Sequence, residues 1–179
     1  KSSSAVGPDN ISALHPKHLG PRVIEYLTKL FNLSVAGADL PSIWKRALVL
    51  PLVKPGKVPT EGPSYRPVSL LCPASKVLER LILPYLSVLQ LNNNQHGFRR
   101  QRSPTTALLP LSTTIANGFN ERKPPKRTVA VAVDLSRAFD CVSQEILPSK
   151  LASSPLNSNI VRWFSAFLKG RQQAVTYNG

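Results

Sequence analysis

Residues 128 to 134 read Thr-Val-Ala-Val-Ala-Val-Asp, an uncharged run closed by a carboxylate, and Leu135-Ser136-Arg137-Ala138-Phe139-Asp140 follows directly. Such a run has few ways to fold. β-Branched residues at every second position favour a strand, setting Val129, Val131 and Val133 on one side and Ala130, Ala132 and Asp134 on the other. The valine side packs and the alanine side stays thin. A carboxylate at the exit of that strand, reached over small alanines, leaves room for a hard cation and a phosphate. The chemistry it points to is metal-assisted phosphoryl transfer.

Each residue of this segment also has a plainer reading. An Asp at a strand end is often a turn-former or helix cap, and Asp140 can cap a helix beginning near Val142 or hold Arg137. Two-metal transfer needs at least two converging carboxylates, of which Asp134 supplies one. Phe139 is either a core aromatic or a ring under a nucleotide sugar that excludes a 2′-hydroxyl by steric conflict.

The rest of the chain alternates helical and strand patterns, which makes the fold class mixed α/β. Gly-Pro-Asp-Asn at 7–10 is a turn, with Asp9 or Ser12 as a helix cap. Val23, Ile24, Leu27, Leu30, Phe31 and Val35 predict a half-buried helix from Pro21 closed by Gly37. Residues 47–53 read as a strand, 54–57 as a turn, and 65–71 as a second strand, extended before Pro67. Together they form a basic hairpin. Residues 75–89 are helical with a kink or break at Pro84, 92–103 form a polar basic loop, and 105–119 return to helix around Pro110. A charged linker at 121–127 divides the chain. Beyond the 128–134 strand come helices at 144–151 and 159–168 and a strand from 172 to 177. An Asn178-Gly179 hairpin turn follows with no return strand.

The 179 residues suffice for one globular domain or part of a larger one. The chain has no Met, even at position 1, and reads as a piece of a longer polypeptide. Its net charge is +14, from 23 Lys plus Arg against nine Asp plus Glu. A surface this basic favours polyanions. Its charges sit in loops rather than on a basic amphipathic helix, which points to nucleic acid more than to an acidic membrane. Cys72 and Cys141 lack the spacing of a zinc site or disulfide framework and fit a reducing, intracellular compartment. No run is long and apolar enough to span a membrane.

Several basic residues are placed to meet phosphates. Lys54 and Lys57 flank the rigid Pro55-Gly56 turn, and Arg66 is held extended by Pro67, so their charged ends suit a triphosphate or backbone phosphate. Arg99, Arg100 and Arg102 follow His96-Gly97-Phe98, setting three guanidinium groups beside an aromatic ring. The plain alternative for all of them is an ordinary solvated charge.

Six segments, in order, resemble the reverse transcriptase domain of non-LTR retrotransposons of a jockey-like lineage. They are Gly7-Pro8-Asp9, Ile43-Trp44-Lys45, the 52–57 run Leu-Val-Lys-Pro-Gly-Lys, the 64–71 run Ser-Tyr-Arg-Pro-Val-Ser-Leu-Leu, Gln95-His96-Gly97-Phe98-Arg99, and the 133–140 run through Asp134 and Phe139. The resemblance implies an α+β right-hand polymerase, with fingers at 1–125 and the N-terminal half of the palm at 126–179. It matches Asp134 to the first metal-binding catalytic aspartate, with the Leu135 carbonyl completing that site. Phe139 becomes the sugar-discriminating aromatic, Lys54 and Arg66 hold the incoming dNTP, and Lys57 with Arg99, Arg100 and Arg102 lies near template and primer. Also implied are two Mg²⁺ ions, an RNA template, a DNA primer, and a location in the nucleus and in cytoplasmic ribonucleoprotein.

The family's aromatic-Ala-Asp-Asp turn and the Pro-Gln-Gly segment before it are absent. Both are expected beyond Gly179, together with the rest of the palm and the thumb of the same polypeptide. The fragment is therefore expected to be inactive by itself. The rival readings are a nucleic-acid-binding relic without catalysis and an RNase H-type nuclease. The nuclease is disfavoured because Glu145 is the only carboxylate after Asp140.

Overall fold

The computed structural model describes residues 6–12, 14, 18–121, 127–136 and 138–176. Most of the linker (122–126), Arg137 and the Asn178-Gly179 turn lie outside the described residues. The chain forms two compact units, one of Lys1–Leu89 with Val142–Gly179 and one of Gln90–Cys141. This division by compactness differs from the fingers and palm division implied by the resemblance.

The first unit holds α1 (Pro21–Gly37), β1 (Arg46–Val53), β2 (Tyr65–Leu70), α2 (Pro73–Ile82), α4 (Ile146–Ala152), α5 (Ser158–Leu168) and β3 (Gln172–Val175); the second holds α3 (Pro104–Asn120). The class is α+β. α1 starts with Pro at its first position, where the missing N–H costs nothing. It ends at Gly37, but the left-handed closing residue is Ala38 (φ 50°), whose N–H returns to the Ser34 carbonyl. Pro84 splits its helix as expected: α2 stops at Ile82 and a 3₁₀ turn carries Leu83–Val88.

The apolar stripes of these helices meet in one core of Phe31, Leu40, Trp44, Cys72, Leu78, Ile82, Ile160 and Trp163. Trp163 is 1% exposed, and its indole N–H donates to Ser34 Oγ at 3.2 Å, so the ring is buried without orphaning its donor. Phe167 stacks on Trp163 at 5.0 Å, and the Arg171 guanidinium covers Phe167 at 4.5 Å.

The sheet runs β2-β1-β3. β1 pairs antiparallel with β2 from Leu48↔Leu70 to Val53↔Tyr65, which forms the expected hairpin. It pairs parallel with β3 from Arg46↔Gln172 to Val49↔Val175. Ala47 and Val49 point into the core. The central strand thus pairs with both neighbours and runs on into the hairpin tip.

The expected strand at 128–134 does not form. Its described residues have no regular structure and are exposed throughout, with Val129 at 82%, Val131 at 81% and Val133 at 82%. The reason is that a strand satisfies its backbone through a neighbour, whereas a helix does so within itself. The valine and alanine pattern supplies propensity, but no described strand lies alongside to complete a ladder.

Candidate nucleotide and nucleic-acid site

The hairpin tip is tied at three points. The Lys54 N–H donates to the Ser64 carbonyl at 2.8 Å, extending the ladder by one bond, and Lys54 Nζ donates to the Pro63 carbonyl at 2.7 Å. The Tyr65 hydroxyl donates to the Pro59 carbonyl at 2.8 Å. Gly56 turns the chain with φ 73°, where a side chain would be strained. Lys57 and Arg66 are exposed, and Arg66 stands opposite Leu52, one pleat repeat from the Lys54–Ser64 bond. Lys54 keeps two of its three ammonium donors beyond the Pro63 bond.

In the second unit, residues 92–103 are a loop held by its own backbone carbonyls. Arg99 Nη1 donates to Asn92 O at 2.8 Å and to Gln95 O at 3.3 Å, while the Gln95 N–H also meets Asn92 O at 2.9 Å. His96 Nδ1 lies 2.9 Å from Thr106 Oγ1, and Ser103 caps α3 in a reciprocal box with Thr106. Arg99 is thus a loop brace as well as a charge, whereas Arg100 and Arg102 are exposed. Phe98 adopts φ 59° and Gln101 φ 60°. A left-handed backbone costs a non-glycine residue roughly 1–2 kcal/mol, so the surrounding bonds must hold it there.

Asp134 and Leu135 are exposed, as is Phe139 at 81%. Phe139 is therefore not a core aromatic in this structure. Its ring meets Phe98 edge to face, centroids 6.3 Å apart and planes at 86°. The Asp134 carboxylate and the neighbouring Leu135 carbonyl are hard oxygen donors, the kind that Mg²⁺ accepts. Among the described residues no three of His, Cys, Asp and Glu gather as a metal-holding group. Lys54, Lys57 and Arg66 belong to the first unit; Asp134, Leu135, Phe139 and the arginine loop belong to the second.

The Gly7-Pro8-Asp9 turn does structural work that its sequence did not disclose. A Cβ on Gly7 would stand 2.6 Å from the Leu71 carbonyl carbon, so only glycine lets this turn lie on the junction of β2 and α2. Asp9 takes the Ile11 N–H at 3.1 Å, and the buried Cys72 thiol donates to the Ile43 carbonyl at 3.5 Å. Burial first, and the Asp9 carboxylate second, push that thiol up to about 11. The turn signal was legible, but its packing partner 64 residues away was not. A groove of about 500 Å³ in the first unit, lined by Phe31, Val35, Leu78, Ile82 and Ile160 among others, offers no carboxylate, imidazole or thiol and is a packing feature.

Residues 54–179 match the family model described as reverse transcriptase (RNA-dependent DNA polymerase). The chain belongs to the reverse transcriptase family. Within that family it is 36% identical over 151 residues to the "Probable RNA-directed DNA polymerase from transposon BS" of Drosophila melanogaster, covering 81% of this chain and 16% of that protein. It is 30% identical over 184 residues to the "RNA-directed DNA polymerase from mobile element jockey" of Drosophila funebris, covering 100% of this chain and 20% of that protein. The X-element polymerase of Drosophila melanogaster is 30% identical over 99% of this chain, which covers 20% of it. This reverse transcriptase segment thus spans about a fifth or less of the curated relatives it matches, and they agree with the jockey-like resemblance of its motifs. No described helix is long and apolar enough to cross a membrane.

Proposed function

We propose that this segment is the nucleotide- and template-binding part of an RNA-directed DNA polymerase that joins dNTPs to a primer 3′-hydroxyl on an RNA template. The family match across residues 54–179 carries the reading. The exposed Asp134 carboxylate and Leu135 carbonyl offer oxygen ligands to one divalent ion, with Mg²⁺ the ion their chemistry suits. When bound, a pair of such ions activates the attacking hydroxyl and neutralises the leaving phosphates.

The protein's own groups do the positioning. Arg66 presents a fork of donors to the triphosphate, and Lys54 adds its spare ammonium donors beside it. Phe139, exposed rather than packed, stands under the sugar and excludes a 2′-hydroxyl. Lys57, Arg100 and Arg102 meet template and primer phosphates, with Arg99 shaping the loop that carries the last two. Asp134 alone does not make a two-ion site, so catalysis draws on further carboxylates of the polymerase. The enzyme works on its element's RNA in ribonucleoprotein and in the nucleus.

Primer extension with labelled dNTP checks this. The 179-residue chain is expected to incorporate nothing, and a polypeptide of the relatives' length carrying it is expected to extend the primer. Asp134→Asn in that polypeptide should lower incorporation at least a thousandfold. Incorporation by the short chain would refute the need for further carboxylates, and full activity in the variant, or no extension by the long polypeptide, would refute the assignment.

A further inference from the structure

Among the described residues Phe98 carries the most exposed aromatic ring, at 98%, and its backbone is held at φ 59°, a region that bulky side chains avoid. The approach to Phe139 covers almost none of it, so neither burial nor ring packing accounts for the conformation. The loop imposes it. Arg99 clamps the carbonyls of Asn92 and Gln95, the Arg102 N–H returns to the Arg99 carbonyl at 3.4 Å, and His96 meets Thr106 at the capped start of α3. An open phenyl ring forgoes the burial that would stabilise the fold, and the left-handed backbone adds to that cost. The surroundings of the ring are cationic: Arg100 and Arg102 are exposed, and no Asp or Glu occurs anywhere from Gln90 to Asn120.

We propose that Phe98 is a base-stacking contact for single-stranded RNA, its open ring taking an unpaired base while Arg100 and Arg102 take the adjoining phosphates. This rests on the RNA-template reading given under Proposed function. Every base has a π-face, so an open ring accepts any of the four, and guanidinium groups take phosphates whatever the sequence. A base inside a duplex is already stacked on both sides, so the site selects unpaired strand rather than sequence. An exposed apolar ring is equally a place for a protein segment to sit. The arginines beside it and the lack of any acid in the surrounding stretch favour the polyanion.

Fluorescence anisotropy with the polymerase polypeptide that carries residues 1–179 tests this on an oligoadenylate of about twelve nucleotides and on the same sugar-phosphate strand without bases. Phe98→Ala should weaken oligoadenylate binding by roughly five- to a hundredfold, leaving the abasic strand within about twofold of the parent. The slope of log affinity against log salt should stay as in the parent, because no phosphate contact is lost. Phe98→Trp, which keeps a stacking face, should hold the oligoadenylate at least as tightly as the parent. Arg100→Ala with Arg102→Ala should instead weaken both strands and flatten the slope. Unchanged oligoadenylate affinity in Phe98→Ala, or an equal loss on the abasic strand, overturns the stacking contact and leaves the template reading standing. A parent polypeptide that binds neither strand overturns both. A lowered thermal midpoint in Phe98→Ala without loss of oligoadenylate affinity assigns the ring to a protein contact and likewise overturns the proposal.

Discussion

Cys72 is wholly buried at the start of α2, where its thiol donates to the Ile43 carbonyl and the Asp9 carboxylate, from a turn far away in sequence, adds to the burial that raises its pKa. Its thiol is pushed from an ordinary 9.0 to about 11, so between those values the unfolded chain releases a proton that the folded chain keeps. Stability must then fall as pH rises through this window, by about 1.4 kcal/mol per pH unit and roughly 2–3 kcal/mol in all, with no such loss below pH 9. Urea midpoints at pH 8.5 and 10.5 measure the decline, and Cys72→Ala should flatten it. An equal decline in the variant would place the alkaline sensitivity elsewhere. The sequence marked Gly7 and Asp9 as a turn and Cys72 as unpaired. It held no local sign that they touch, because a contact across 60 and more residues leaves no periodicity.

Helices were the most legible elements. α1, α3 and α5 fall within one or two residues of their apolar spacing and caps, and Pro84 ends α2 where its missing donor requires. A helix closes its hydrogen bonds within one segment, so one segment of sequence suffices to find it. Pro110 tests the limit of that rule, for α3 runs through it with most of its side chains exposed. With little packing to compensate, Pro110→Ala should stabilise α3 by up to about 3 kcal/mol. Amide exchange should show at least a tenfold gain in protection across residues 108–118, and unchanged protection would mean that contacts elsewhere set the helix's stability. The hairpin was legible for a similar reason, its two strands being neighbours in sequence joined through residues 54–64, which keeps their pairing within local reach.

At the scale of the whole molecule, a +14 chain with its arginines in a fixed loop should bind nucleic acid with strong salt dependence. Arg100 and Arg102 are exposed, whereas Arg99 spends donors on carbonyls. Arg100→Ala with Arg102→Ala should therefore flatten the plot of log affinity against log salt for single-stranded RNA by roughly 1.5 units. Fluorescence anisotropy at several salt concentrations reads this, and an unaltered slope would return both residues to solvent. The sequence by itself determined the helices, the hairpin, the basic character and the order of motifs that carries the family, because each is written in neighbouring residues. Only the tertiary structure decided that the Val-Ala run at 128–134 stays unpaired, that the Phe98 and Phe139 rings lie edge to face, and that the 7–10 turn lies against the start of α2. A strand, a ring pair and a buried thiol each need a partner, and which partner arrives is settled by packing rather than by the residues on either side.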